Sequence, residues 1–184
     1  MNMVFFDSRN SHLNLDYLQK YGNGDTFVET GTYMGETVFL AMQAGFQFIH
    51  SIELNEDLYL KATAKFINHR GIKIWQGDSA LCLPSVIKEL KGPATFWLDA
   101  HASGNLGGGV SGGSPVLDEL RIIQAHGCDE HTIFIDDRRL FGSAEWSFVK
   151  EQDAFDLLRE INPNYNIHYL NGHIPGDVIC ATVK

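Results

Sequence analysis

The sequence has few cysteines, few basic residues and no long apolar run. Cys82, Cys128 and Cys180 are odd in number and form no C-x-x-C pair. This argues against a disulfide framework or a zinc knuckle and for a reducing, cytoplasmic setting. No apolar stretch reaches the roughly 18–20 residues needed to cross a bilayer. Residues 1–15 lack a basic segment followed by an apolar one, so neither a signal peptide nor a membrane partner is expected. Lys and Arg together number 14 against 23 Asp and Glu, a formal net charge of -9. That balance disfavours binding along a phosphate backbone, and no nucleic-acid partner is expected. Arg138-Arg139 is the one notable basic pair. With no internal repeat and no linker, residues 1–184 are expected to form a single domain.

What is present is a regular alternation of apolar runs and helical patterns. Residues 14–18 have helical spacing, and Gly22-Asn23-Gly24 ends them, giving an N-terminal helical segment over 1–24. Strands are expected over 25–29, 46–54, 71–77, 93–100 and 132–135. Helices are expected over 35–45, 55–69 with Asn55 as cap, 79–90 and 147–161. A further helix should begin at Pro115, capped by Ser114. Residues 166–170 and 178–183 read as two strands whose connection is too short for a crossover helix, hence an antiparallel hairpin. The pattern predicts an α/β fold: a doubly wound, Rossmann-like sheet of seven strands, mostly parallel, with an antiparallel C-terminal hairpin and helices on both faces. Between the fourth strand and its helix, residues 103–114 carry six glycines. This Gly-rich loop, 102–114, is expected to be either a lid over substrate or a surface connection.

The motif that carries most chemistry is Phe27-Val28-Glu29-Thr30-Gly31-Thr32-Tyr33-Met34-Gly35. It reads as a buried strand ending in an acid and running through a glycine turn into a helix, the usual way to hold a nucleotide-type cofactor. Its spacing is E-x-G-x-x-x-G, not the G-x-G-x-x-G of dinucleotide folds, which turns the expectation from NAD toward S-adenosylmethionine. The second strand ends at Glu53-Leu54, where a carboxylate can accept two hydrogen bonds from ribose hydroxyls. The third ends at Asp78-Ser79, where a carboxylate can accept from an adenine amino group. Simpler readings stay open: Glu29 and Asp78 could be helix caps, and Glu53 a solvated residue before the Asn55 cap.

The ordered set VETGTYMGET, HSIEL, QGDS, FWLDAH and FIDD resembles the class I S-adenosylmethionine-dependent methyltransferases, over roughly residues 25–184. The resemblance implies that the turn holding Glu29, Thr30, Gly31, Thr32, Tyr33 and Gly35 faces the methionine part. It places Glu53 and Leu54 at the ribose, Asp78 and Ser79 at the adenine, and Asp99 beside the cofactor.

Asp99, after the fourth strand, and Asp136-Asp137, after the fifth, should be near neighbours at the ligand face. Three carboxylates there are costly unless something positive joins them. The arrangement is similar to that of metal-dependent O-methyltransferases acting on small molecules or sugars. That similarity implies a divalent ion, Mg²⁺ for preference, on Asp99, Asp136 and Asp137. The ion would activate a substrate hydroxyl, with Asp99 and His101 as catalytic residues and His101 as the proton acceptor. Other readings remain: Asp99 as a cap or a contact to the cofactor's amino group without metal, His101 as a plain loop residue, and Asp136 and Asp137 as partners of Arg138, Arg139 or Arg121. Phe141 and Trp146 are expected to wall the substrate; His173 is assigned to neither wall. An NAD-dependent oxidoreductase and a non-catalytic partner-binding protein are the competing classes. A homodimer is expected only because such assemblies are common.

Overall fold

The computed structural model describes residues 12–100 and 114–183. His101 and all but the last residue of the glycine-rich loop lie outside the described residues.

In chain order the elements are α1 (Leu15–Tyr21), β1 (Thr26–Thr30), α2 (Glu36–Ala44), β2 (Phe48–Glu53), α3 (Glu56–Phe66), β3 (Ile72–Gln76), α4 (Ser79–Ile87), β4 (Ala94–Leu98), α5 (Val116–His126), β5 (Thr132–Ile135), α6 (Glu151–Ile161), β6 (Asn166–Leu170) and β7 (Val178–Thr182). The seven strands form one sheet in the order β3-β2-β1-β4-β5-β7-β6. β1 to β5 pair in parallel, and β7 runs antiparallel to both β5 and β6. The expected architecture and the antiparallel hairpin are both present. Chain direction across the sheet reverses between β1 and β4, so the carboxyl ends of these two strands open a crevice, the usual ligand position in such sheets.

Burial follows from position. β1, β4, β5 and β7 are buried at every residue, as central strands covered on both faces must be. The edge strand β3 is not. One face packs Phe27, Ile49 and Trp97 under α1, α2 and α3 through Leu18, Val38 and Phe66. The other packs Val28, Phe96 and Ile133 under α4, α5 and α6 through Leu83, Leu120 and Leu158. Alternation along β1 therefore sends Glu29 to the first face and Thr30 to the second.

Some element ends differ from expectation. The last helix starts at Glu151, not near 147, because Ser147 and Phe148 lie at φ 52° and 59°, outside the helical region. β2 starts at Phe48; Phe46 instead donates its N–H to Ala41 O at 3.2 Å and sets its ring 5.6 Å from Phe27. α5 starts at Val116, with Pro115 in the cap position and Ser114 Oγ accepting the Val116 N–H at 3.4 Å. Asn55 caps α3 as expected, accepting from Leu58 N at 3.1 Å. Trp146 is 3% exposed and packs edge-on against Phe141 at 4.7 Å, so it belongs to the core and not to an open wall.

Candidate functional site

The turn after β1 is built by close backbone approach. Gly31 has φ +96°, and a Cβ there would lie 2.8 Å from Asp99 O. Its N–H donates to Ile52 O at 2.9 Å, so the turn is seated across β2 and β4 at once. Gly35 has φ +77° and precedes α2; a Cβ there would meet the Phe66 ring at 2.8 Å. Between them Tyr33 takes φ 46°, a left-handed conformation that costs a residue with a side chain on the order of 1 kcal/mol. The Tyr33 N–H is held by Glu53 Oε2 at 2.8 Å, and Glu53 Oε1 accepts the Asn55 N–H at 2.8 Å. The Glu53 carboxylate is thus fixed by two backbone donors, each oxygen keeping a lone pair for a ligand. Tyr33 and Leu54 are exposed beside it, at 65% and 42%.

Glu29 is fully buried and does not reach the turn's surface. It accepts from Ser51 Oγ at 2.5 Å and from Thr37 Oγ1, while Ser51 is also bonded to Thr32 Oγ1 at 2.5 Å. Burial pushes its carboxyl up to about 8 against those two bonds. Thr30 Oγ1 accepts the Asp99 N–H at 3.2 Å, tying β1 to β4. Asp78 caps α4 through the Ala80 N–H at 2.9 Å, with Ser79 buried next to it.

Glu119 was absent from the sequence reading. It is 1% exposed on the buried stripe of α5, between Val116 and Ile123. Its carboxyl is bonded by the hydroxyls of Ser79 and Thr30, and burial pushes it up to about 7. The available signal was a carboxylate inside an apolar helical stripe.

Asp136 and Asp137 come together with a residue the sequence reading also missed. His12 Nδ1 lies 2.6 Å from Asp136 Oδ2 and 3.8 Å from Asp137 Oδ1. The bond to Asp136 raises the His12 pKa. Desolvation lifts Asp136 to about 6, while the His12 bond pulls the other way. Arg139 Nη1 bonds Asp137 Oδ1 at 2.5 Å and also Asp177 Oδ2, joining two carboxylates that are each almost fully buried. Arg138 pairs with Glu151 and Arg121 with Asp118. Two of the three carboxylates of the acidic cluster, Asp136 and Asp137, therefore have basic partners within the chain. His12, Asp136 and Asp137 offer ligand atoms within 4.8 Å of one another, and Asp99 is not part of that group. Asp136 Oδ1 is buried with no hydrogen-bond partner. The His173 ring sits 5.4 Å from that of His12.

A second cluster, His126, Cys128 and His131, lies before β5 at the opposite end of the sheet. His131 Nδ1 accepts the Ala94 N–H at 3.0 Å, so its one proton sits on Nε2 and is donated to His126 Nδ1 at 3.0 Å. A metal on Nε2 would displace that proton, so the pair reads as a structural hydrogen-bond chain. Burial lowers His131 to about 4, in keeping with a neutral ring.

No protein-family model matches the sequence, and no curated protein matches it. Solved structures do match. An O-methyltransferase from Bacillus cereus in complex with S-adenosylhomocysteine aligns at TM-score 0.61 and 12% identity, over 92% of this chain and 78% of that one. The Clostridium thermocellum protein named as an rRNA methylase aligns at TM-score 0.62 and 11% identity, over 91% and 94%. Spermidine synthase from Thermotoga maritima aligns at TM-score 0.56 and 12% identity, over 96% of this chain and 59% of that one. The chain has the fold of the S-adenosylmethionine-dependent methyltransferases. At these identities the likeness fixes the fold, and one such fold hosts several reactions.

Proposed function

We propose that the protein is an S-adenosylmethionine-dependent methyltransferase whose acceptor is a hydroxyl on a small molecule or sugar. The observation that carries the donor assignment is Glu53, held by the Tyr33 and Asn55 N–H groups beside a glycine turn at the sheet's reversal point. Its free lone pairs suit the two hydroxyls of a ribose. Asp78 and Ser79 would take the adenine, and Thr30, Gly31, Thr32, Tyr33 and Gly35 would shape the wall along the methionine part. Asp99 would face its amino group, and Leu54 would pack on the sugar. The bound cofactor supplies a methyl group on a cationic sulfur. The chain's part is to orient it against the acceptor, and His101 is the proposed proton acceptor for the hydroxyl. The net charge of -9 supports an acceptor that is not a nucleic acid.

A divalent ion on Asp99, Asp136 and Asp137 is the finer reading. Its support is the orphaned Asp136 Oδ1 and the His12 nitrogen nearby. An imidazole among the donors suits a transition ion better than Mg²⁺, which prefers oxygen. Such an ion would lower the pKa of an acceptor hydroxyl.

The test is transfer of labelled methyl from S-adenosylmethionine to a panel of hydroxylated small molecules and sugars, with and without chelator. Transfer that survives chelation removes the metal. Transfer only to RNA or protein removes the acceptor class, and the donor assignment stands.

A further inference from the structure

Two histidines and two carboxylates from three distant parts of the chain meet at the carboxyl end of β5. His12 precedes α1, Asp136 and Asp137 follow β5, and His173 lies in the turn between β6 and β7. His12 Nδ1 stands 2.6 Å from Asp136 Oδ2 and 3.8 Å from Asp137 Oδ1. The centres of the His12 and His173 rings are 5.4 Å apart. The two carboxylates are 2% and 1% exposed, so water does not meet their demand for positive charge.

Asp136 Oδ1 is buried and has no hydrogen-bond partner. A Cβ added at Gly172 would lie 3.3 Å from it, so this oxygen faces the turn that carries His173. Gly172 adds no side chain to that space. The turn is held by its own bonds: Gly172 N donates to Ile174 O at 3.1 Å, and Gly176 N to Asn171 Oδ1 at 3.2 Å. Arg139 bridges Asp137 to Asp177 and offsets one charge among the three buried carboxylates. The contact between His12 and Asp136 is one in which a metal takes the proton's place, nitrogen and oxygen both becoming its ligands.

We infer that His12, Asp136, Asp137 and His173 form a binding site for a divalent transition-metal ion of the zinc type. Two imidazoles here take the place of Asp99 in the set Asp99, Asp136 and Asp137, and the site does not depend on the methyl-donor reading. Imidazole nitrogen suits Zn²⁺, Co²⁺ and Fe²⁺, whereas Mg²⁺ keeps to oxygen and water. With metal–nitrogen bonds of about 2.1 Å, two imidazoles on one tetrahedral ion set their ring centres roughly 5 Å apart, close to the spacing of His12 and His173. His12, Asp136 and Asp137 already offer ligand atoms within 4.8 Å of one another, and His173, exposed on its turn, completes the set by rotating its side chain. The Asp136 N–H donates to Leu98 O at 3.0 Å, so the site stands beside the end of β4, where a bound ion would supply a Lewis acid to the crevice. An ion held here also ties the residues before α1 to the last hairpin, and so stabilises the fold by mass action.

The test is titration of Co²⁺, an absorbing stand-in for Zn²⁺, into the chelator-treated intact chain, followed by visible absorption and by calorimetry. The expected result is one Co²⁺ per chain, with the d–d bands of nitrogen and oxygen ligation. Zn²⁺ displaces it, and Mg²⁺ in about hundredfold excess does not. His12→Ala and His173→Ala each weaken Co²⁺ binding about tenfold or more. His173 is exposed, so its variant keeps the fold. Co²⁺ binding by His173→Ala equal to wild type overturns the four-donor site. Displacement by Mg²⁺ on equal terms overturns the inference in favour of carboxylates alone. A thiolate band that is lost in Cys128→Ser puts the ion at His126, Cys128 and His131 and overturns it, as does the absence of any Co²⁺ binding. None of these outcomes bears on binding of S-adenosylhomocysteine, which tests the methyl-donor reading separately.

Discussion

Glu53 reaches from the end of β2 to hold the N–H of Tyr33, a residue in left-handed conformation in the turn after β1, at 2.8 Å. One carboxylate thereby stabilises a strained turn, and in the proposed reading it also holds the ribose. Glu53→Ala removes both effects. Losing hydrogen bonds to a charged acceptor costs roughly 1.5–3 kcal/mol, so S-adenosylhomocysteine affinity should fall about ten- to a hundredfold. Unchanged affinity by calorimetry contradicts the ribose assignment.

Gly31→Ala places a methyl group 2.8 Å from Asp99 O at φ +96°. The left-handed backbone alone costs roughly 1–2 kcal/mol, and the clash adds to it. Urea unfolding should show a lower midpoint, and the cofactor cleft should weaken in parallel because the same turn forms its wall. A stability equal to wild type means that β1 and β4 are not packed as described.

Burial holds the Glu29 proton up to about pH 8 in the fold, against an ordinary value of 4.5. Between those limits the folded chain binds the extra proton. The stabilisation that Glu29 contributes is therefore fully present below 4.5 and is lost as pH rises through 8. Glu29→Gln cannot titrate, so its stability should fall less steeply with rising pH over that window. Chemical denaturation at several pH values measures the slopes; identical slopes for the two proteins contradict the buried, protonated state.

The strand ends were readable because an acid stands at or just after the end of each strand-like run: Glu29, Glu53, Asp78, Asp99 and Asp136. Their order in the chain also implied the sheet. What was hidden depends on side chains distant in sequence. His12 meets Asp136 across 124 positions, and Arg139 meets Asp177 across 38. Neither pairing leaves a local pattern; the Asp137–Arg139 pair, two positions apart, was among the partners the sequence offered, whereas His12 and Asp177 were not. The start of α6 was misplaced for a local reason: the positive φ values of Ser147 and Phe148 are imposed by the turn that buries Trp146, and no glycine marks them.

Arg139 serves two carboxylates that have almost no exposure, while its own side chain is 32% exposed. Arg139→Met keeps the stem and leaves Asp137 and Asp177 without their shared cation. The expected loss is on the order of 2–3 kcal/mol, below a fully buried pair because water reaches the guanidinium. Asp177→Asn in the same background should recover part of it. A double-mutant cycle in urea checks both, and strict additivity contradicts the bridge.

The most direct test of the central claim is calorimetric titration of S-adenosylhomocysteine into the purified chain, with NAD in parallel. The account predicts saturable binding of S-adenosylhomocysteine at micromolar affinity or tighter, one per chain, and no heat with NAD. Absence of S-adenosylhomocysteine binding, or saturable binding of NAD in its place, contradicts it.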